Sequence, residues 1–247
     1  MLNDQDLDRY SRQVILPQIT EEGQEKLFRA KLLLVGLGGL GCPAATYLAL
    51  AGVGQIALVD DDVIEASNLP RQTLFEEADI GRPKAEAAAE KLSYLNSSGH
   101  FTAYHQRFDS QGSYGEDSVI WLDASDSYTS RAEVALAAGQ QKKILITAAA
   151  QAFQGQVATL YSGADDACFH GLYPSSPQEN AVSRCEQVGI LGTTVGIIGT
   201  MLAQEAIREL LGLEGGLRNR VLLYDGLFIR MQKMALQQRR KDCQICK

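Results

Sequence analysis

Three segments of this chain hold the chemistry needed to bind a polyphosphate nucleotide: Val35-Gly36-Leu37-Gly38-Gly39-Leu40-Gly41, Asp60-Asp61-Asp62 and Ser67-Asn68-Leu69-Pro70-Arg71-Gln72. The glycines fit a G-x-G-x-x-G turn, with Gly36 for the tight bend, Gly38 for close backbone approach to phosphate and Gly41 for helix-on-strand packing. Asp60 follows the turn by roughly 20 residues, the spacing at which a carboxylate accepts from ribose hydroxyls. A helix end can largely satisfy a dinucleotide's pyrophosphate, whereas ATP in a transfer reaction needs added cations and usually a metal. Arg71 and Lys84, the latter in Gly81-Arg82-Pro83-Lys84, are the candidate cations. Asp126, in Leu122-Asp123-Ala124-Ser125-Asp126, is the candidate magnesium carboxylate. Either cation alone would read as an ordinary solvated charge. Asp126 carries more weight because it follows the apolar run 118–122, and parallel-sheet folds bind ligands at the carboxyl ends of strands.

These groups need a scaffold, and the flanking sequence supplies it. Residues 31–35 are continuously apolar after Lys31, as a parallel strand buried on both faces requires. A helix is expected through residues 44–50, its N-terminal amides and dipole facing the anion, with a second strand at 55–59. Around this βαβ unit the chain reads as a helical arm over about 4–29, alternating strands and helices to about 148, and β-rich pieces at 157–161 and 221–224. The expected fold is α/β: a Rossmann-like sheet with a parallel N-terminal half and a more β-rich, partly antiparallel C-terminal half. One domain over 1–247 is expected, with its nucleotide core at about 31–150 and the remainder, 151–247, continuing the sheet. The apolar stretch 195–203 is too short to span a bilayer before Gln204, Glu205, Arg208 and Glu209. It reads as a buried helix in which Gly196 and Gly199 permit close approach to the glycine turn or to a dimer partner. His100 and His105 are given no role.

Composition narrows the function classes. Twenty-three basic and 30 acidic residues give a net charge of −7, which offers no dense basic stripe for nucleic acid. Residues 1–6 lack the basic and apolar regions of an export signal, and five cysteines with one pair at metal spacing suit a reducing cytoplasm. A nicotinamide-dependent oxidoreductase would use the same turn and Asp60, but no tyrosine, lysine or histidine is placed for hydride chemistry. A non-catalytic binding module is a further alternative, opposed by the presence of Arg71, Lys84 and Asp126 together.

Tyr10-Ser11-Arg12-Gln13, the glycine turn, Ser67 to Gln72, Arg82-Pro83-Lys84, Asp123 to Asp126 and Cys243-Gln244-Ile245-Cys246 occur in the order seen in the ThiF/MoeB/HesA family. These bacterial relatives of ubiquitin-activating enzymes resemble the chain from about residue 4 to 246. Tyr10 to Gln13, the three aspartates and Arg184-Cys185-Glu186-Gln187-Val188-Gly189 resemble the ThiF branch more than the MoeB branch. The resemblance implies adenylation of the C-terminal Gly-Gly carboxylate of a ubiquitin-like sulfur carrier by Mg-ATP, with release of pyrophosphate. ThiF enzymes serve the thiamin-pathway carrier ThiS and MoeB enzymes the molybdopterin carrier. By the same resemblance Gly38 and Gly39 line the phosphates, Asp60 holds the ribose, and Asn68, Arg71 and Lys84 contact the triphosphate. Asp126 organises magnesium, and Arg12 reaches ATP across a homodimer. The carrier docks on the second half of the chain, with a sulfur donor as a further partner. No general base is required, since a carboxylate is already nucleophilic at neutral pH.

Two positions depart from the family pattern. Ser127 stands where Asn often follows the aspartate; its hydroxyl lacks an amide's two donors. Relatives bind structural zinc through two Cys-x-x-Cys pairs, but the first pair here reads Cys168-Phe169-His170-Gly171. Cys168, Cys243 and Cys246 then give three ligands of the four zinc prefers, with His170 a candidate fourth at unusual spacing. A redox pair or plain surface thiols are the alternatives for the tail. Cys185 lies in a polar segment beside Arg184, a setting that favours thiolate, and in ThiF-like proteins the matching cysteine forms a covalent acyl link to the carrier. Cys42, at a helix start after the glycine turn, reads as a small packing residue.

Overall fold

The computed structural model describes residues 2–114, 117–163, 166–173 and 189–237. Three short helices open the chain, α1 (Asp4–Arg9), α2 (Ser11–Val14) and α3 (Thr20–Arg29). Strands and helices then alternate through β1 (Lys31–Val35), α4 (Gly41–Leu50), β2 (Gln55–Val59), α5 (Lys84–Leu95), β3 (His100–Tyr104), β4 (Ile120–Asp123), α6 (Tyr128–Gln140) and β5 (Ile144–Gln151). The remainder contributes β6 (Gln154–Leu160), α7 (Phe169–Leu172), α8 (Gly192–Leu211), β7 (Arg220–Asp225) and β8 (Arg230–Ala235).

All eight strands form one sheet in the order β3-β2-β1-β4-β5-β6-β7-β8. Pairings are parallel from β3 to β5 and antiparallel from β5 to β8, so the expected two-part sheet is what the chain builds. Successive strand side chains face opposite ways. Leu32, Leu34, Ile56, Leu58 and Leu122 therefore join one core with α4, α5 and α8, while Leu33, Val35, Val59 and Trp121 join another with α6. Helices on both faces explain why β1 needed apolar residues at consecutive positions. The strand expected at 118–122 runs instead from Ile120 to Asp123, beginning two residues and ending one residue later; buried Ser118, just before it, accepts from the Trp121 indole N–H at 3.0 Å.

The chain runs outward from β1 to β3 and then crosses back to β4 on the other side of β1. Such a reversal opens a crevice at the carboxyl ends of the strands. Helix α8 is the buried helix expected around 195–203; an added Cβ on Gly199 would lie 2.3 Å from the Leu40 carbonyl, while one on Gly196 would meet nothing within 4 Å. Close approach to the glycine-turn segment is thus made by Gly199. No helix among the described residues is long and apolar enough to cross a membrane.

Candidate active site

The glycine turn is fixed by two contacts that a side chain would destroy. Gly36 has φ +92°, and a Cβ there would sit 2.8 Å from the Ala124 carbonyl, so the turn lies directly on the loop after β4. A Cβ on Gly41 would lie 1.9 Å from the Gly36 carbonyl oxygen, the close helix-on-strand approach expected of the third glycine. Gly38 has only one neighbour at its Cβ position, Gln72 Nε2 at 3.8 Å. Gly39 differs, since Val195 of α8 and the Arg71 carbonyl occupy the corresponding space at 2.8 and 3.3 Å. Gly39 thus joins the turn to its neighbours by packing. No side chain caps α4; Cys42 and Ala44 donate to the Gly38 and Leu40 carbonyls at 3.0 and 3.3 Å and Pro43 has no N–H, so the amides open to an anion are those of the turn, Gly38 to Gly41. Cys42 is buried beneath the turn, its thiol bonded to the Leu37 carbonyl at 3.2 Å and pushed up to about 12 by burial. It is a packing residue.

Asp60 directly follows β2 and reaches back to the turn. Its Oδ2 accepts from the Leu37 amide at 2.6 Å and its Oδ1 from the Asp62 amide at 2.9 Å. Burial pushes this carboxyl above its ordinary value, opposed by the Leu37 amide and by Lys84. Two carboxylate oxygens offer about four lone-pair sites, so acceptor capacity remains for ribose hydroxyls. Lys84 begins α5 and is only 5 % exposed; its Nζ lies 2.6 Å from Asp62 Oδ2. A bridge between Val63 and Pro83 brings this lysine to the aspartate cluster from 22 residues away. Arg71 donates to the Ser67 carbonyl at 2.8 Å, and buried Asn68 accepts the Glu65 amide at 3.2 Å, closing a 3-10 turn at Ala66–Asn68.

Asp126 lies exposed just past β4, and its loop is clamped from below. Fully buried Asp123 accepts from the Ser125 hydroxyl at 2.6 Å, the Ser125 amide at 3.1 Å and the Thr147 hydroxyl at 2.7 Å. Arg131 donates through Nε and Nη2 to the Ser125 carbonyl at 3.1 and 2.7 Å. Burial pushes Asp123 up, with Arg131 and the hydroxyl bonds opposing. Ser127, the departure from the family pattern, is the N-cap of α6, its Oγ accepting from the Ser130 amide at 3.1 Å.

The turn, Asp60, Lys84, Arg71 and the Asp126 loop thus meet at one end of the parallel strands. Arg12 does not. It is exposed on α2, whose Gln13 bonds to the Ala51 carbonyl at 3.3 Å, beyond the far end of α4. Ten helical residues separate that end from the glycine turn by roughly 15 Å. Cys168 is buried just before α7, and an added Cβ on Gly171 would come 2.7 Å from the Gln237 carbonyl. The chain preceding the tail therefore passes where a cysteine side chain at 171 would project. Cys185, Cys243 and Cys246 lie outside the described residues.

A family model described as the ThiF family matches residues 10–245. The chain belongs to the ThiF family. Among relatives, this ThiF-family chain is 40% identical over 254 residues to the sulfur carrier protein ThiS adenylyltransferase of Escherichia coli, covering 99% of the chain and 97% of that protein. It is 38% identical to the adenylyltransferase and sulfurtransferase MOCS3 of Culex quinquefasciatus, again over 99% of the chain but only 56% of that relative, so it spans about half the longer protein. Among solved structures, Escherichia coli MccB matches with a TM-score of 0.81 at 22% identity, over 96% of this chain and 72% of MccB, which supports the fold. The family and the α/β architecture expected from the sequence both hold.

The sequence alone missed three contributors: the Asp123–Arg131 clamp, the cap by Ser127, and Gln72. Asp123 was visible as a strand-end carboxylate, but its partner Thr147 enters only through the β4–β5 register. Gln72 stood in the recognised Ser67–Gln72 motif without a role.

Proposed function

We propose that this chain is an ATP-dependent adenylyltransferase acting on the C-terminal Gly-Gly carboxylate of a ThiS-type sulfur carrier. The observation that carries the reading is the uncapped start of α4 opening beside Asp60, Arg71, Lys84 and Asp126 at the carboxyl ends of the parallel strands. In the reaction a carboxylate oxygen attacks the α-phosphorus, the bond from that phosphorus to the bridging β-oxygen breaks, and pyrophosphate leaves. Both reactants are anions, so fixed donors and cations supply the largest stabilisation. The amides of Gly38 to Gly41 hold phosphate, Asp60 accepts from ribose, and Lys84 exchanges Asp62 for phosphate, with Arg71 and Asn68 alongside. Magnesium bound with the nucleotide screens its charge, and Asp126 is the exposed carboxylate for it.

The homodimer belongs to the same proposal. Arg12 lies too far from its own glycine turn to act there, which supports its reaching the site of a second copy. The described zinc candidates are Cys168 and His170, with Cys243 and Cys246 completing the proposed set. The Cys185 thiolate is proposed to attack the acyl carbon of the carrier's adenylate, displacing AMP to give a thioester, which a sulfur nucleophile from a donor protein then cleaves with release of the Cys185 thiolate.

The similarity to MOCS3 keeps a second carrier in view, the molybdopterin type. Magnesium-dependent ATP–pyrophosphate exchange with each purified carrier separates them, using Asp126→Ala as the control. Exchange with the thiamin-type carrier alone, lost in the variant, is expected. Exchange with the molybdopterin-type carrier alone would reassign the substrate.

A further inference from the structure

Gln72 is 3% exposed, and its Oε1 is buried without a hydrogen-bond partner. Buried carboxamides normally have partners, and an orphan end calls for an explanation. A phosphate oxygen, itself an acceptor, does not pair with Oε1; the end of the amide that faces the site is Nε2, the atom nearest the Cβ position of Gly38, where the turn is otherwise open. The amide therefore walls the notch above the uncapped start of α4, a ten-residue helix.

The backbone carrying Gln72 is held tightly on both sides. The Arg71 carbonyl lies 3.3 Å from the Cβ position of Gly39, and the Pro70 carbonyl lies 2.5 Å from that of Gly192, at the start of α8. The Gln72 amide donates to the Asn68 carbonyl at 3.0 Å, and its own carbonyl accepts from Phe75 at 3.1 Å. With its main chain so fixed, the side chain has no folding bond at Oε1 to maintain. A donor held ready before the ligand arrives costs little reorganisation on binding.

We propose that Gln72 is a substrate-contacting residue, its Nε2 donating to a nucleotide phosphate oxygen held over Gly38. This rests on the ATP reading above. It adds a neutral donor to the charged groups there: Arg71 and Lys84 offset phosphate charge, whereas Gln72 fixes orientation without altering the balance.

The test uses the full chain with Gln72→Met and Gln72→Glu. Mg-ATP affinity is measured calorimetrically without any carrier, unfolding temperature is measured without nucleotide, and exchange is measured with the carriers. Methionine preserves length and removes both polar ends. Replacing an orphan amide by an apolar group of similar shape is close to neutral for folding. We expect Gln72→Met to melt at or above the wild-type temperature, with Mg-ATP bound about 10-fold or more weakly, the loss typical of a hydrogen bond to a charged group. Gln72→Glu sets a carboxylate against phosphate and should bind more weakly still.

Wild-type ATP affinity in Gln72→Met would overturn the proposal. So would a large drop in its melting temperature, which would make the amide part of the fold. If wild type bound Mg-ATP yet exchanged with neither carrier, the carrier reading would fail, while the calorimetric comparison would still decide Gln72.

Discussion

Buried and half-buried carboxylates behave in opposite ways in two regions of this chain. At the ends of β2 and β4, burial pushes Asp60 and Asp123 up, and their partners only partly oppose it. Beside β6 and β7, Asp166 is buried too, yet Arg218 through two bonds of 2.9 and 3.0 Å, with Asn219 and the Gly163 amide, holds it below the ordinary carboxylate range. The first pair sits where the fold accepts a cost to present acceptors and shape loops. Asp166 sits where a carboxylate ties the antiparallel half together. Perturbed groups cluster at functional sites, but only the surroundings tell which sign of perturbation serves which purpose.

The sharpest way to break this contrast is to remove function from one end without touching the other. Arg71→Ala should lower carrier-dependent exchange by about 100-fold or more, the scale of losing a transition-state donor, with little change in melting temperature. Its side chain gives the fold one bond, to the Ser67 carbonyl. Unchanged exchange would remove the charge-offset role from the turn.

Gly41→Ala should affect both properties, because its Cβ would fall 1.9 Å from the Gly36 carbonyl oxygen. The strain expected from overpacking, about 1–3 kcal/mol, corresponds to a melting temperature lower by roughly 2–12 °C. Exchange should fall as the turn is displaced. Wild-type melting would mean that helix and strand can part freely there.

Asp166→Asn should leave exchange at 25 °C unchanged and lower the melting temperature by a few degrees, about the effect of losing a well-formed ion pair. A depressed carboxylate contributes stability above its unfolded pKa and loses it as pH falls through the folded value. The gap between variant and wild type should therefore be widest near neutrality and close below pH ~4. A gap that persisted in acid would assign the stabilisation to packing instead of charge.

The smallest effect concerns the far edge. Every residue of β8 is exposed, and Leu227, Phe228 and Ile229 project at the preceding turn. If that face docks the carrier, Ile229→Asp should raise the KM for carrier about 10-fold, worth about 1.4 kcal/mol, with the KM for ATP unchanged. An unaltered carrier KM would move docking elsewhere.

The same contrast explains what could be read from the sequence. The β1–turn–α4 unit was legible because consecutive apolar residues, spaced glycines and an acid each answer to one steric or electrostatic demand. β8 was not, since Arg230-Met231-Gln232-Lys233-Met234-Ala235 has two apolar methionines three apart and buries none of its residues. Ser127 looked like a loss until the start of α6 gave its hydroxyl a capping role. Gln72 was invisible for a different reason: a glutamine beside an arginine in a loop signals nothing until its burial and missing partner are known.

The central claim is that these strand ends hold ATP for attack at the α-phosphorus. Incubating the chain and a Gly-Gly-terminated carrier with ATP labelled at either the α- or the γ-phosphorus tests it directly. The account predicts α-label on the carrier's C-terminal carboxylate, no γ-label there, and loss of the adduct in Asp126→Ala. Transfer of the γ-label to the carrier would contradict it, making the site one for phosphorylation instead of adenylation.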